Sequence, residues 1–221
     1  MQDSGRRTRS RRRFLASAAA GIAAGLAGCG GLVSRPSSGG TATARDVSLP
    51  APTLGAEDAP VTLGVYKDFA CPACRQFNAQ TKPNVVSEYV EEGVVRLEHY
   101  DFPLDMHEPM SYTAANAARA VQHEADDETF FAFADSLFEN QSDLGSATYA
   151  DLADEEGVDS DGVRSAAEGR TYRTVIQEDK QQGIDADVRG TPTVFVDGEM
   201  LDGFDWGTVR SAVESARPDG E

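Results

Sequence analysis

Cys71-Pro72-Ala73-Cys74 lies between a short β-rich run, Val61 to Tyr66 (VTLGVY), and a stretch in which Phe77, Val85, Val86, Tyr89 and Val90 recur at roughly helical spacing. The pair therefore sits where a strand gives way to a helix. At a helix N-terminus Cys71 meets unpaired backbone N–H groups and the positive end of the macrodipole, and both favour a thiolate. Pro72 suits the first turn, where no donor is needed. Cys74, three residues on, shares that face and can close a disulfide with Cys71. Such a pair can attack a substrate disulfide and then resolve the mixed disulfide internally.

Other uses of two cysteines compete with that one. Zinc needs four ligands, and the remaining candidates are His99, His107 and His123. A purely structural disulfide over so short a loop gains little entropy. It would leave a membrane-tethered binding or chaperone-like module rather than an enzyme. Both thiols could also hold a soft ion such as Cu(I), but no Met or His stands close to the pair in sequence.

Gly93 ends the helical stretch, and Val94 to Tyr100 reads as a second strand, giving β-α-β. Pro83 is expected to kink the helix between them. Residues 105–188 then read as helical: Ser111–Val121, rich in alanine, then Glu128–Phe138 with an aromatic face suited to core packing. Ser146 and Asp159 look like N-caps of two shorter helices, and Thr171–Gln182 gives another that ends at Gly183. Strands return at Thr193–Val196 and Met200–Leu201 around an Asp197-Gly198 turn. Asp205 caps a closing helix, Trp206–Ala216. The fold class is α/β: a β-α-β half and a β-β-α half, separated by a helical insertion at about 105–188, in one domain over 47–217.

Gly190-Thr191-Pro192-Thr193 puts a proline just before a strand, a good place for a cis peptide. Three pieces, residues 69–74 (FACPAC), 101–104 (DFPL) and 190–198 (GTPTVFVDG), together resemble the DsbA-like thiol–disulfide oxidoreductases of thioredoxin fold. The resemblance covers about residues 50–216 and the place of the helical insertion. It implies that Cys71 is the exposed nucleophile and Cys74 the buried resolving thiol. It also implies that Pro192 is the cis-proline facing them, with the Thr191 backbone pairing with an extended substrate segment. No cofactor is implied. Ala73 departs from the His that many oxidising relatives carry, leaving Arg75 as the nearby cation that could compensate. Val65 stands where the resemblance places a buried acid. Asp68 is the nearest carboxylate, either a proton relay to Cys74 or a solvated loop acid.

Charge bears on where such a protein works. The 221 residues carry 37 acidic and 20 basic side chains, a net charge of −17, which argues against nucleic acid as a partner. Residues 1–29 hold six Arg and one acid, so residues 30–221 keep 14 basic and 36 acidic groups, a net −22. The basic set is 17 Arg and only 3 Lys. Dispersed acids in a well-patterned, Lys-poor chain resemble folded proteins of extreme halophiles, where salt screens the self-repulsion. Arg11-Arg12-Arg13-Phe14-Leu15, opening a weakly apolar run to Gly28, resembles a twin-arginine export signal, too short to span a bilayer. Leu26-Ala27-Gly28-Cys29 resembles a lipobox, with Cys29 as the lipidation site. Residues 30–46, rich in Gly, Ser and Thr, read as a flexible tether. The expected setting is extracytoplasmic, tethered to the outer face of the membrane. The expected partners are exported protein thiols or disulfides and an unidentified redox partner.

Overall fold

The computed structural model describes residues 47–218; the expected signal, Cys29 and the tether lie outside the described residues. Five strands, β1 (Thr53–Leu54), β2 (Val61–Lys67), β3 (Val95–Asp101), β4 (Thr193–Val196) and β5 (Glu199–Met200), form one sheet in the order β1-β3-β2-β4-β5. At its centre β2 (Val61–Lys67) and β3 (Val95–Asp101) run parallel, in register from Val61 opposite Val95 to Lys67 opposite Asp101. On the other side of β2 lies β4 (Thr193–Val196), antiparallel, followed by β5 (Glu199–Met200). Their turn places Asp197 and Gly198 at φ of 46° and 84°, the left-handed pair an Asp-Gly hairpin needs. β1 (Thr53–Leu54) was not expected from the sequence; two residues carry no period. It is held by β3 and by Asp127, whose carboxylate accepts the Thr53 N–H at 2.8 Å.

The β2-to-β3 crossover is α1 (Pro72–Gln80), α2 (Lys82–Val85) and a π-helical turn over Val86–Val90. The break falls at Thr81 rather than at Pro83. Pro83 instead occupies the first turn of α2, where its missing N–H leaves no bond unmade. Gly93 then closes the crossover at φ 70°.

The expected insertion is five helices: α3 (Met110–Glu124), α4 (Asp127–Glu139), α5 (Ser146–Glu155), α6 (Ser160–Gly169) and α7 (Arg173–Asp185). The alanines of α3 are buried, and α6 packs on that smooth face. Asp126 caps α4 by accepting the Thr129 N–H, and Asp205 caps α8 (Trp206–Ala216) through Thr208. One expected cap is corrected: Gly145, not Ser146, is the N-cap of α5. Asp159 does stand at the N-cap of α6, as expected, without a side-chain capping bond. Gly183 does not end α7 but lies inside it. A Cβ there would come within 2.8 Å of Phe102 and 2.9 Å of Tyr66, so glycine is what lets α7 rest on the sheet.

The main core fills the other face of β2. Val61, Leu63 and Val65 pack there with Phe77 of α1 and with Phe130, Phe133 and Phe138 of α4, which confirms the aromatic face of α4 as packing. No helix among the described residues is long and apolar enough to cross a membrane.

Candidate active site

Strand alternation aims Val61, Leu63, Val65 and Lys67 at the main core. After Lys67 the chain turns through Asp68, Phe69 and Ala70 into α1. Cys71 takes the N-cap position, Pro72 the first helical position, and Cys74 the first turn. Both cysteines are free thiols; Cys71 is 6% exposed and Cys74 fully buried. The Thr191–Pro192 peptide is cis, as expected. As a thiol, Cys71 donates to the Thr191 carbonyl at 3.4 Å, so the two motifs meet across 120 residues of sequence. The Thr191 hydroxyl oxygen is buried without a partner.

The two thiols titrate in opposite directions. A hydrogen bond from Cys74, helped by the backbone N–H groups of Cys74 and Ala73 and opposed by burial, lowers Cys71 to about 5. Burial, and then the neighbouring Cys71, pushes Cys74 well above an ordinary thiol. Near neutral pH the arrangement therefore offers one thiolate and one protonated, buried thiol.

Asp68 is not a solvated loop acid; it is 1% exposed. Its carboxylate accepts the Ala70 N–H at 2.9 Å, the Leu104 N–H at 3.1 Å and the Ser111 hydroxyl at 3.0 Å, and lies 2.8 Å from His107 Nδ1. It reaches Cys74 only through its backbone, the Asp68 N–H donating to Cys74 Sγ at 3.4 Å. The carboxylate thus clamps the turn beneath the pair to the segment that follows β3. Gln141, which follows α4, holds the same turn from the other side: its Nε2 donates to the carbonyls of Phe69 and Cys71 at 2.8 and 2.9 Å. His107, Ser111 and Gln141 had no local signal, since each reaches the turn from 39 or more residues away. Arg75 is exposed and lines a groove with Asp135 and Glu139. Ala73 packs against the core edge.

Val65 is fully buried and pairs across the sheet with His99. His99 Nε2 lies 3.0 Å from Asp101 Oδ1, and its ring stacks on Phe69 with centroids 5.4 Å apart. Burial, then the charge of Lys67, lowers His99 to about 4, so it is neutral. Arg119 bridges Asp101, at 2.7 Å from Nε, and Asp179. Burial works against the Asp101 charge, but Arg119 holds it down to about 2; burial pushes Asp179 up. This network ties α3 and α7 to the end of β3. Among the described residues no group of three or more His, Cys, Asp or Glu is arranged to hold a metal.

A family profile described as thioredoxin matches residues 48–215. Over 170 residues the chain is 26% identical to disulfide bond formation protein D of Bacillus subtilis (strain 168), covering 74% of this chain and 75% of that one. The crystal structure of oxidised BdbD from Bacillus subtilis superposes with a TM-score of 0.70 at 25% identity, over 75% of this chain and 92% of that one. Chlamydia trachomatis DsbA, at 18% identity, gives a TM-score of 0.68 over 75% of this chain and 89% of that one, a likeness of fold.

Proposed function

The chain belongs to the thioredoxin family and is a thiol–disulfide oxidoreductase of DsbA-like type; on that premise we propose that Cys71 is its nucleophile, Cys74 its resolving thiol, and disulfide formation in exported proteins its direction. The observation that carries this reading is the placement of the pair: Cys71 at the N-terminus of α1, 3.4 Å from the Thr191 carbonyl beside cis-Pro192, and Cys74 fully buried behind it, an arrangement that draws Cys71 down and pushes Cys74 up. A stabilised Cys71 thiolate favours the reduced pair, and a pair that prefers to be reduced is an oxidant of other thiols. Ala73 stands where many oxidising relatives carry a His, so on this reading the turn's own N–H groups and Cys74 supply that stabilisation here.

In the proposed reaction a substrate thiolate attacks Cys71 of the Cys71–Cys74 disulfide, and Cys74 leaves. A second substrate thiolate then attacks the substrate sulfur of the mixed disulfide, and Cys71 leaves as thiolate. Two substrate thiols become one disulfide and the pair is reduced. An unidentified redox partner must accept those two electrons. Thr191 and cis-Pro192 would dock an extended substrate segment by its backbone beside Cys71.

The setting is proposed on the same footing. Residues 1–29 would direct export and lipidation at Cys29, and residues 30–46 would hold the domain at 47–217 off the outer face of the membrane. Pro72 and Arg75, exposed beside Cys71, would modulate the approach of partners.

Trapping tests the reading. Cys74→Ser should accumulate reductant-sensitive mixed disulfides between Cys71 and exported proteins, and Cys71→Ser should accumulate none. A Cys74→Ser chain that forms no adducts in cells or with model disulfides would overturn the assignment. Cys29→Ser should release the protein from the membrane fraction if Cys29 is the anchor.

A further inference from the structure

We propose that Arg170, Arg173 and Lys180, drawn together around the Tyr112 ring, form a docking site for an acidic segment of the substrate polypeptide. The proposal rests on the chain being an exchange enzyme that acts on other proteins. The guanidinium carbons of Arg170 and Arg173 lie 5.5 and 5.6 Å from the Tyr112 centroid, and Lys180 Nζ lies 5.8 Å from it. Three cations therefore converge on one ring, in a chain whose residues 30–221 hold 36 acids and only 14 bases. Tyr112 is buried and serves as the floor; Arg173 is exposed, and Arg170 and Lys180 are half-buried.

The fold gathers the three from two helices. Arg170 ends α6 in the left-handed conformation at φ 51°, Arg173 opens α7, and Lys180 lies about two turns further along α7. Their charge is not balanced locally. Lys180 pairs with Asp105 at 2.8 Å. Among the described residues neither Arg170 nor Arg173 forms an ion pair, whereas Arg96, Arg119, Arg164, Arg189 and Arg217 all do. Arg173 also stands at the positive end of α7, whose first turn holds no acid, a placement that helix stability alone disfavours. An external carboxylate relieves such a cluster, and a guanidinium takes one through two parallel hydrogen bonds.

Position favours a substrate over other anions. The cluster stands at the end of the sheet that carries the cysteines. Tyr112 follows Ser111, whose hydroxyl donates to the Asp68 carboxylate under the pair. Lys180 also lies over Phe102, 6.0 Å from its centroid, and the Phe102 N–H donates to the carbonyl of Lys67, where β2 ends. A polypeptide engaged at Cys71 meets the cluster with residues that flank its own cysteine. A flat anionic membrane would instead call for cations spread over one face, not gathered at one ring. In about 1 M salt charges are screened within about 3 Å, so recognition there comes from direct carboxylate contact rather than from steering over distance.

The test follows oxidation of two synthetic dithiol peptides by the oxidised full chain, in the lowest salt at which it stays folded. One peptide carries aspartates beside its cysteines, the other asparagines. The aspartate peptide should show a KM lower by about 5-fold. Arg170→Gln combined with Arg173→Gln should bring the two KM values together. Arg170→Glu combined with Arg173→Glu should make the aspartate peptide the poorer substrate, a reversal that lost packing on Tyr112 would not give. Equal KM values on the unmodified chain, or a preference that survives in a folded double variant, would overturn the proposal. Attachment to anionic phospholipid vesicles that needs the two arginines, with no preference between the peptides, would overturn it too and assign the cluster to the membrane. Failure to oxidise either peptide would instead count against the exchange activity itself.

Discussion

The two sulfurs differ because the turn and helix around them differ. Cys71 sits where backbone N–H groups are free, and Cys74 one turn deeper, against the core. A sequence with Cys-Pro-Ala-Cys after a strand makes that division legible, as Gly-Thr-Pro makes the cis peptide legible. The sign of the resulting pH dependence can be worked out. With Cys71 ionising at about 5 in the fold, against 9.0 as the ordinary value, the unfolded chain binds more protons between those limits. The reduced protein should therefore gain stability as pH rises across that interval and lose it as pH falls through about 5. Urea melts of the reduced chain against Cys71→Ser check this, with thiolate absorbance reporting the midpoint. Asp68 was harder to read. Its burial depends on donors from Leu104, His107 and Ser111, far along the chain. Asp68→Asn turns one acceptor oxygen into a donor that faces other donors. It should cost about 1–3 kcal/mol in a thermal or urea melt and loosen the turn under Cys74. The burial of Lys67 was hidden for another reason: a lysine after an apolar run reads as the exposed end of a strand.

Elements with a period were recovered from the sequence, and elements without one were not. Central strands, the alanine-rich α3, the aromatic α4 and the capped α8 all carry repeating or capping signals. β1 carries none and exists because β3 and Asp127 hold it. Gly183 shows how a local rule is overridden. Glycine after a helical run ordinarily signals a C-terminus; here it marks the closest approach of α7 to the sheet. Gly183→Ala tests which role governs. Helix propensity alone would stabilise α7, yet the added methyl would collide with Phe102 and Tyr66. The expected outcome is a loss of about 1–3 kcal/mol, read as a lower melting temperature. A gain would mean that α7 can shift outward freely.

At the scale of the molecule the charge is the dominant fact. Residues 30–221 carry a net −22, and the three lysines do little to offset it at the surface. Lys67 and Lys82 are 3% and 5% exposed, and Lys180 packs toward Phe102 and Tyr112 while pairing with Asp105 at 2.8 Å. The exposed cations are thus arginines, outnumbered by acids. A surface of this kind suits the expectation, drawn from composition, that the domain works in concentrated salt. Its melting temperature should climb steadily between about 0.1 M and about 3 M sodium or potassium chloride, beyond the range where simple screening saturates. A flat response would remove the salt-adapted reading and leave an ordinary acidic domain.

The central claim is that Cys71 and Cys74 form an oxidising exchange pair, and the reduction potential of the pair, measured in high salt against glutathione, tests it most directly. The account predicts a value of about −180 mV or higher, in the range of proteins that introduce disulfides. A value of about −270 mV or lower, in the range of reductants and structural disulfides, would contradict it.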